Sequence, residues 1–207
     1  MRRVLLPAVA AAVLLGASVL ARAAVAPAEE EARRFVQQTI DDVLGVLHDS
    51  SLTLDQKKDR VEAIAYERFD FELICRFVLA RNWNTMSEQQ QHDFVDAFKK
   101  HLSATYRDTL DSFSDEKILV DGSQPEARGD VTVKTIVRQG SGDTRVDYRL
   151  RKTDAGWRGI DVIIEGVSLV QNFRTQCQEI ISAEGADALI QKLRDKQIQL
   201  DPKVEKG

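Results

Sequence analysis

The sequence predicts an α+β fold in which an antiparallel meander of about four strands is covered by helices on one face. Three observations predict it. Apolar residues recur at helical spacing up to about residue 110. Between Lys117 and Gly166 they alternate with charged residues, and turn residues separate the runs. After Gly166 the helical spacing returns. No repeat or low-complexity linker interrupts the 207 residues, so helices, strands and helices belong to one domain.

The first element stands apart. Arg2 and Arg3 precede a charge-free run from Val4 to Leu20, which ends at Ala21-Arg22-Ala23. A basic start, an apolar stretch and an Ala-x-Ala end predict a secretory signal peptide over 1–23, cleaved between Ala23 and Ala24. A run broken by Pro7 and Gly16 is marginal for spanning a bilayer. Cleavage removes three arginines and no acid, so the net charge of −4 becomes −7. The exported domain then covers 24–200, followed by a charged tail over 201–207. An acidic chain of this kind lacks the basic face that nucleic acid requires.

The helices follow in order. From Ala28 to Asp49, Val36, Ile40, Val43, Leu44 and Leu47 share one face. Thr53 and Gln56 form a capping box for a second helix through Val61, Ile64 and Ala65. A third spans Asp70 to Arg81 on the stripe Phe71, Ile74, Cys75 and Val78. Ser87 and Gln90 form another capping box, which opens a long helix carrying Phe94, Phe98, Leu102, Tyr106 and Leu110. His92 and His101 fall on its charged sides and are expected at the surface.

In the strand region, Val146, Tyr148 and Leu150 alternate with Arg145, Asp147, Arg149 and Arg151. A turn at Asp154–Gly156 sets Tyr148 opposite Val162, Leu150 opposite Ile160, Arg149 opposite Asp161, and Arg145 opposite Glu165. Ser168 is placed to cap a helix through Val170, Phe173, Cys177 and Ile181. Gly185 then precedes a last helix through Leu189, Ile190 and Leu193.

Candidate chemistry is sparse. Gly166-Val167-Ser168 lacks the second glycine of a nucleophile elbow, because Val170 stands there. Asp161 and Glu165 share one strand face and could form an acid–base pair, but the opposing arginines favour cross-strand salt bridges. Three histidines and no Cys-x-x-Cys leave little for a metal site. Cys75 and Cys177 each sit on an apolar stripe. They fit either a disulfide or two buried thiols, since their spacing in three dimensions decides. What the chain does offer is apolar surface, for a filled core or for a ligand cavity.

The segment Trp157-Arg-Gly-Ile-Asp161-Val-Ile-Ile-Glu165-Gly166-Val167-Ser168-Leu-Val-Gln-Asn172-Phe173-Arg174-Thr-Gln176 closely resembles the signature of the MlaC, or toluene-tolerance, family. Gly185 and Asp187-Ala-Leu189-Ile190-Gln-Lys-Leu193 keep a similar spacing. So do Phe69-Asp70-Phe71, Val78-Leu79-Ala80, Trp83, Ser87-Glu88-Gln89-Gln90, Phe94, Phe98, Leu102 and Tyr106. The hopanoid-associated HpnM proteins share the layout but are less similar around Glu165–Ser168. Two residues depart from the pattern: Ala80 stands where glycine is usual, and Cys177 where an aromatic is common.

The resemblance implies an NTF2-like or cystatin-like fold, with a curved sheet wrapped by helices around a lipid cavity. It implies a monomeric periplasmic phospholipid carrier that uses no cofactor. Its implied partners are an outer-membrane lipoprotein complex and an inner-membrane ABC transporter with an MCE-domain ring, in a pathway that maintains outer-membrane lipid asymmetry. A hopanoid carrier is the alternative, and an NTF2-like enzyme using Asp161 or Glu165 a further one. By alternation and helical spacing the expected cavity wall is Phe94, Phe98, Tyr106, Val133, Val146, Tyr148, Leu150, Val162, Val170 and Phe173.

Overall fold

The computed structural model describes residues 17–107, 110, 117–140 and 142–198, with side chains from residue 27 onward. Positions 1–16 of the expected signal segment and the expected tail over 201–207 lie outside these residues. The elements are α1 (Ala17–His48), α2 (Leu54–Arg68), α3 (Phe71–Leu79), α4 (Glu88–Tyr106), β1 (Lys117–Pro125), β2 (Val131–Gln139), β3 (Gly142–Thr153), β4 (Gly156–Ile164), β5 (Val167–Ser168), α5 (Leu169–Glu184) and α6 (Ala186–Arg194). A 3₁₀ segment, Ala80–Thr85, joins α3 to α4.

The sheet is antiparallel throughout, in the order β1-β2-β3-β4-β5. Four long strands match the expectation, and the two-residue β5 was too short to show as an alternation. Tyr148 pairs with Val162, and Arg149 with Asp161, as their alternation requires. Leu150 faces Gly159 rather than Ile160, because β4 carries a bulge at this point. The extra residue brings Gly159 against α2's end. There the amide of Asp70 donates to the Gly159 carbonyl at 3.0 Å. A Cβ on Gly159 would lie 2.5 Å from the Phe69 ring, so only glycine permits this approach.

Both expected capping boxes form, at Thr53 with Gln56 and at Ser87 with Gln90. The third helix is shorter than expected and ends at Leu79. Ala80, its C-cap, has φ 49° and ψ −119°. A side chain resists that conformation, and a glycine would not.

Two apolar clusters organise the interior. In one, Ala32, Val36 and Ile40 of α1 lie on Val131, Val133, Leu150 and Trp157 of the sheet. In the other, α3, α4, α5 and α6 pack through Ile74, Leu79, Phe94, Phe98, Phe173 and Leu189. Phe98 meets Phe173 edge-on at 5.0 Å and stacks on Phe94 at 5.8 Å. Cys75 and Cys177 are both fully buried in this second cluster as free thiols. His101 is buried too, edge-on to Phe173 at 5.8 Å, and so corrects the surface expectation. The helical stripe wraps far enough to draw it under α6. His92 remains exposed beside Asp96.

Candidate functional site: apolar cavities around α2

Helix α2 lies between the two clusters, and three apolar cavities surround it. The first, about 150 Å³, lies between α1, α2 and the sheet, against Phe35, Val36, Ile64, Phe69, Tyr148 and Leu150. The second, about 210 Å³, separates α2 from the end of α4 at Val61, Tyr66, Leu102, Tyr106 and Leu110. The third, about 180 Å³, lies between α2, α3, α4, α5 and β4, bounded by Phe71, Phe98, Tyr106, Val162, Val170 and Phe173. Ala65 lines all three.

The local chemistry explains why space is left here. The inward face of α2 is Val61, Ile64 and Ala65, with nothing larger than isoleucine among them. A helix with so small an apolar ridge fills the gap between two clusters poorly. Polar ties along its rim hold it in place. Arg68 pairs with Asp42 of α1 at 2.8 Å. Arg107, just past α4, reaches Asp59 at 2.8 Å and Asp55 and Glu62 at 3.5 Å. Tyr66 shares a 2.7 Å hydrogen bond with Ser103. Tyr148 lies in apolar surroundings, and its burial pushes the phenol up to about 12, so it stays neutral.

The expected wall residues divide accordingly. Phe98, Tyr106, Val162, Val170 and Phe173 meet in one cavity, and Tyr148 and Leu150 in another. Phe94 and Val133 are fully buried in the two packed clusters. Val146 is half-buried on β3, and its carbonyl accepts from the Thr135 hydroxyl at 2.5 Å. Ala65, Phe69, Phe35 and Leu102 were missed as wall residues. Burial periodicity marks them only as core, and the gap beside them comes from tertiary spacing.

The two carboxylates do not form the expected salt bridges. Asp161 accepts the Ser168 hydroxyl at 2.6 Å and the Val170 amide at 3.1 Å, so it caps α5 together with Ser168. Burial raises its pKa, and these hydrogen bonds hold it down in part. Its oxygens are occupied by the start of the helix rather than by Arg149. The Glu165 carboxylate accepts from the backbone amide of Arg145, and the Glu165 amide donates to the Arg145 carbonyl at 2.9 Å. The Ser168 hydroxyl beside Asp161 is itself engaged as the α5 cap, where it accepts the Gln171 amide at 3.1 Å. Among the described residues, no cluster of His, Cys, Asp or Glu could hold a metal.

Comparison with known proteins agrees with this geometry. A solved structure of a phospholipid-binding protein from Ralstonia solanacearum, in complex with a phospholipid, superposes with a TM-score of 0.73 at 26% identity. The match covers 80% of this chain and 96% of that one. The family model described as MlaC protein matches residues 37–195. That span runs from within α1 through α6 and takes in the walls of the cavities around α2 apart from Phe35 and Val36, so the chain belongs to the MlaC family.

Proposed function

We propose that this protein is a phospholipid carrier whose acyl chains occupy the space around α2. The observation that carries the reading is the set of three apolar cavities meeting at Ala65, in a chain of the MlaC family that superposes on a Ralstonia protein described with a phospholipid bound. Each buried methylene gains about 0.8 kcal/mol, so a lipid with ~30 methylenes gains roughly 25 kcal/mol on leaving water. An aqueous gap is therefore crossed only inside a carrier. Non-directional contacts grip the tails, and no bond chemistry is required of the wall.

The separate cavities are each smaller than the ~300 Å³ at which typical small-molecule sites begin. Loading a two-chain lipid requires them to merge, and α2 is the element whose displacement merges them. Its ties through Arg68, Arg107 and Tyr66 are polar and lie on the rim, so they can break without exposing a packed core. Release at a partner then follows from any contact that favours the displaced position of α2.

The finer reading places the carrier in the periplasm after removal of residues 1–23, with the domain over 24–200. It exchanges phospholipid with an outer-membrane lipoprotein complex and with an inner-membrane MCE-domain ABC transporter, in support of outer-membrane lipid asymmetry. The basic, apolar and Ala-x-Ala segments of the N-terminus and the family membership support this.

Organic extraction of the purified protein, followed by mass spectrometry, tests the carrier reading. Phospholipid close to one per protein is expected. Ala65→Trp, which puts a large ring where all three cavities meet, should lower it about tenfold while circular dichroism stays unchanged. A wild-type protein that emerges without lipid and takes none from vesicles sinks the reading.

A further inference from the structure

A further cavity is larger than any of the three apolar ones. It is a cleft of about 460 Å³ on the other side of the sheet, bordered by the end of α3 and the start of α5. Strand alternation fixes the sides. Tyr148 and Leu150 line the cavity under α1, so Arg149 and Arg151, between and beyond them, point the opposite way into the cleft. Arg76, Arg128 and Arg174 complete a set of five arginines, with no lysine among the lining residues. This concentration stands out on a chain whose net charge is −4.

The charges in the cleft do not cancel. Asp130 holds Arg151 through two hydrogen bonds of 2.7 Å each. Arg76 pairs with Glu72 at 2.5 Å. Glu126 accepts the Thr132 hydroxyl at 3.0 Å. Asp161, the one carboxylate in register with Arg149, has both oxygens taken by Ser168 and Val170. Arg128 and Arg174 form no salt bridge among the described residues, and Arg149 acts on Asp161 only as a nearby charge that lowers its pKa, without a hydrogen bond to it. The Nε of Arg149 is buried and donates to no acceptor there. That nitrogen is shielded from solvent, so a ligand in the cleft meets the rest of the half-buried Arg149 side chain.

We propose that this cleft is an oxyanion site that takes a phosphate-bearing anion, held by Arg149 and Arg174. Guanidinium groups offer paired, coplanar donors that match phosphate oxygens, which a lysine ammonium does not. Gln171, one turn before Arg174 on α5, adds a neutral side chain at the rim. The site is separate from the tail cavities, and the two spaces share only Asp161 and Val170 in the wall between them. A free phosphate ester and the phosphate of a lipid headgroup offer the same chemistry to it.

Titration of the full-length protein with inorganic phosphate, followed by NMR of the arginine Nε–H signals, tests this. A saturable shift is expected at Arg149 and Arg174 in wild type. It should be absent in the R149Q/R174Q double variant and kept in R138Q, a surface arginine outside the cleft. If the double variant does not fold, R174Q alone should weaken the response about tenfold. Sodium chloride at matched ionic strength is the comparison. An equal response to chloride, or a response unchanged in R174Q, overturns the proposal. Flotation with phosphatidylglycerol vesicles assigns the source. Retention on vesicles that R174Q abolishes assigns a headgroup. Phosphate binding without vesicle retention assigns a free anion, and the absence of both responses overturns the site. Ala65→Trp, which alters the tail cavities and no lining residue of the cleft, should keep the phosphate shift, so the outcome is read independently of the carrier test.

Discussion

At the scale of single residues, backbone conformation and burial make the sharpest predictions. Ala80 is held at φ 49° at the end of α3, where an L-side chain is strained by about 1–2 kcal/mol. Ala80→Gly is therefore expected to stabilise the protein by about 1 kcal/mol, seen as a higher urea midpoint. An unchanged or lower midpoint means that the strain is absent in solution. His101 makes a prediction about pH. Burial lowers its pKa, against the raising effect of hydrogen bonds with the Leu193 and Ile198 backbone, and Lys196 lowers it further. Because the folded value lies below the unfolded value of about 6.5, the unfolded chain binds the proton first. Stability should be complete above pH 6.5 and fall as the pH drops toward the folded value. Urea midpoints at pH 7.5 and 5.5 should differ more in wild type than in His101→Phe. The helical spacing of residue 101 was legible in the sequence, but its burial was not. That burial comes from α6 closing over it from more than 80 residues away, which no local pattern encodes.

At the scale of elements, the capping boxes and the β3–β4 register were legible because each depends on residues a few positions apart. The start of α5 shows where such reading stops. Ser168 as N-cap follows from its place before an apolar stripe, and it does accept the Gln171 amide at 3.1 Å. The partner that supports it, Asp161, was expected to face Arg149 in a salt bridge. A carboxylate beside unpaired helical amides gains more from two directed hydrogen bonds in a buried site than from one arginine across a strand. Ser168→Ala should cost about 1 kcal/mol. Ser168→Ala combined with Asp161→Asn should cost measurably less than the sum of the two, since they share one hydrogen bond. Additive losses in chemical denaturation would separate them. The glycine at 159 is the element-level counterpart. Gly159→Ala drives a methyl into the Phe69 ring and should lower the melting temperature, while Gly140→Ala, with open space around it, should not.

At the scale of the whole molecule, the order of helices, meander and helices was readable because each block keeps one periodicity over many residues. The cavities were not, since a wall and a core present the same apolar stripe to the sequence. Two gross properties are testable. Both cysteines are buried free thiols, and burial pushes Cys177 up to about 12. Protein denatured without reductant should therefore release two thiols to a chromogenic disulfide reagent, and the native protein close to none. The charge of −7 expected after removal of residues 1–23 should keep the carrier off anionic vesicles at physiological salt, so that docking depends on partner proteins. Stable retention of the native protein on such vesicles would contradict that.

The open sheet has one further consequence. Strand β1 is its terminal strand, and its outer backbone amides and carbonyls face no other strand in the sheet. An uncovered edge of this kind invites a second chain to add itself, the first step of runaway polymerisation. This edge is blunted in three ways: Lys117 opens it, the register breaks between Val120 and Gly122, and Pro125 closes it. A chain with apolar cavities inside thus carries its own guard against sticking to its copies.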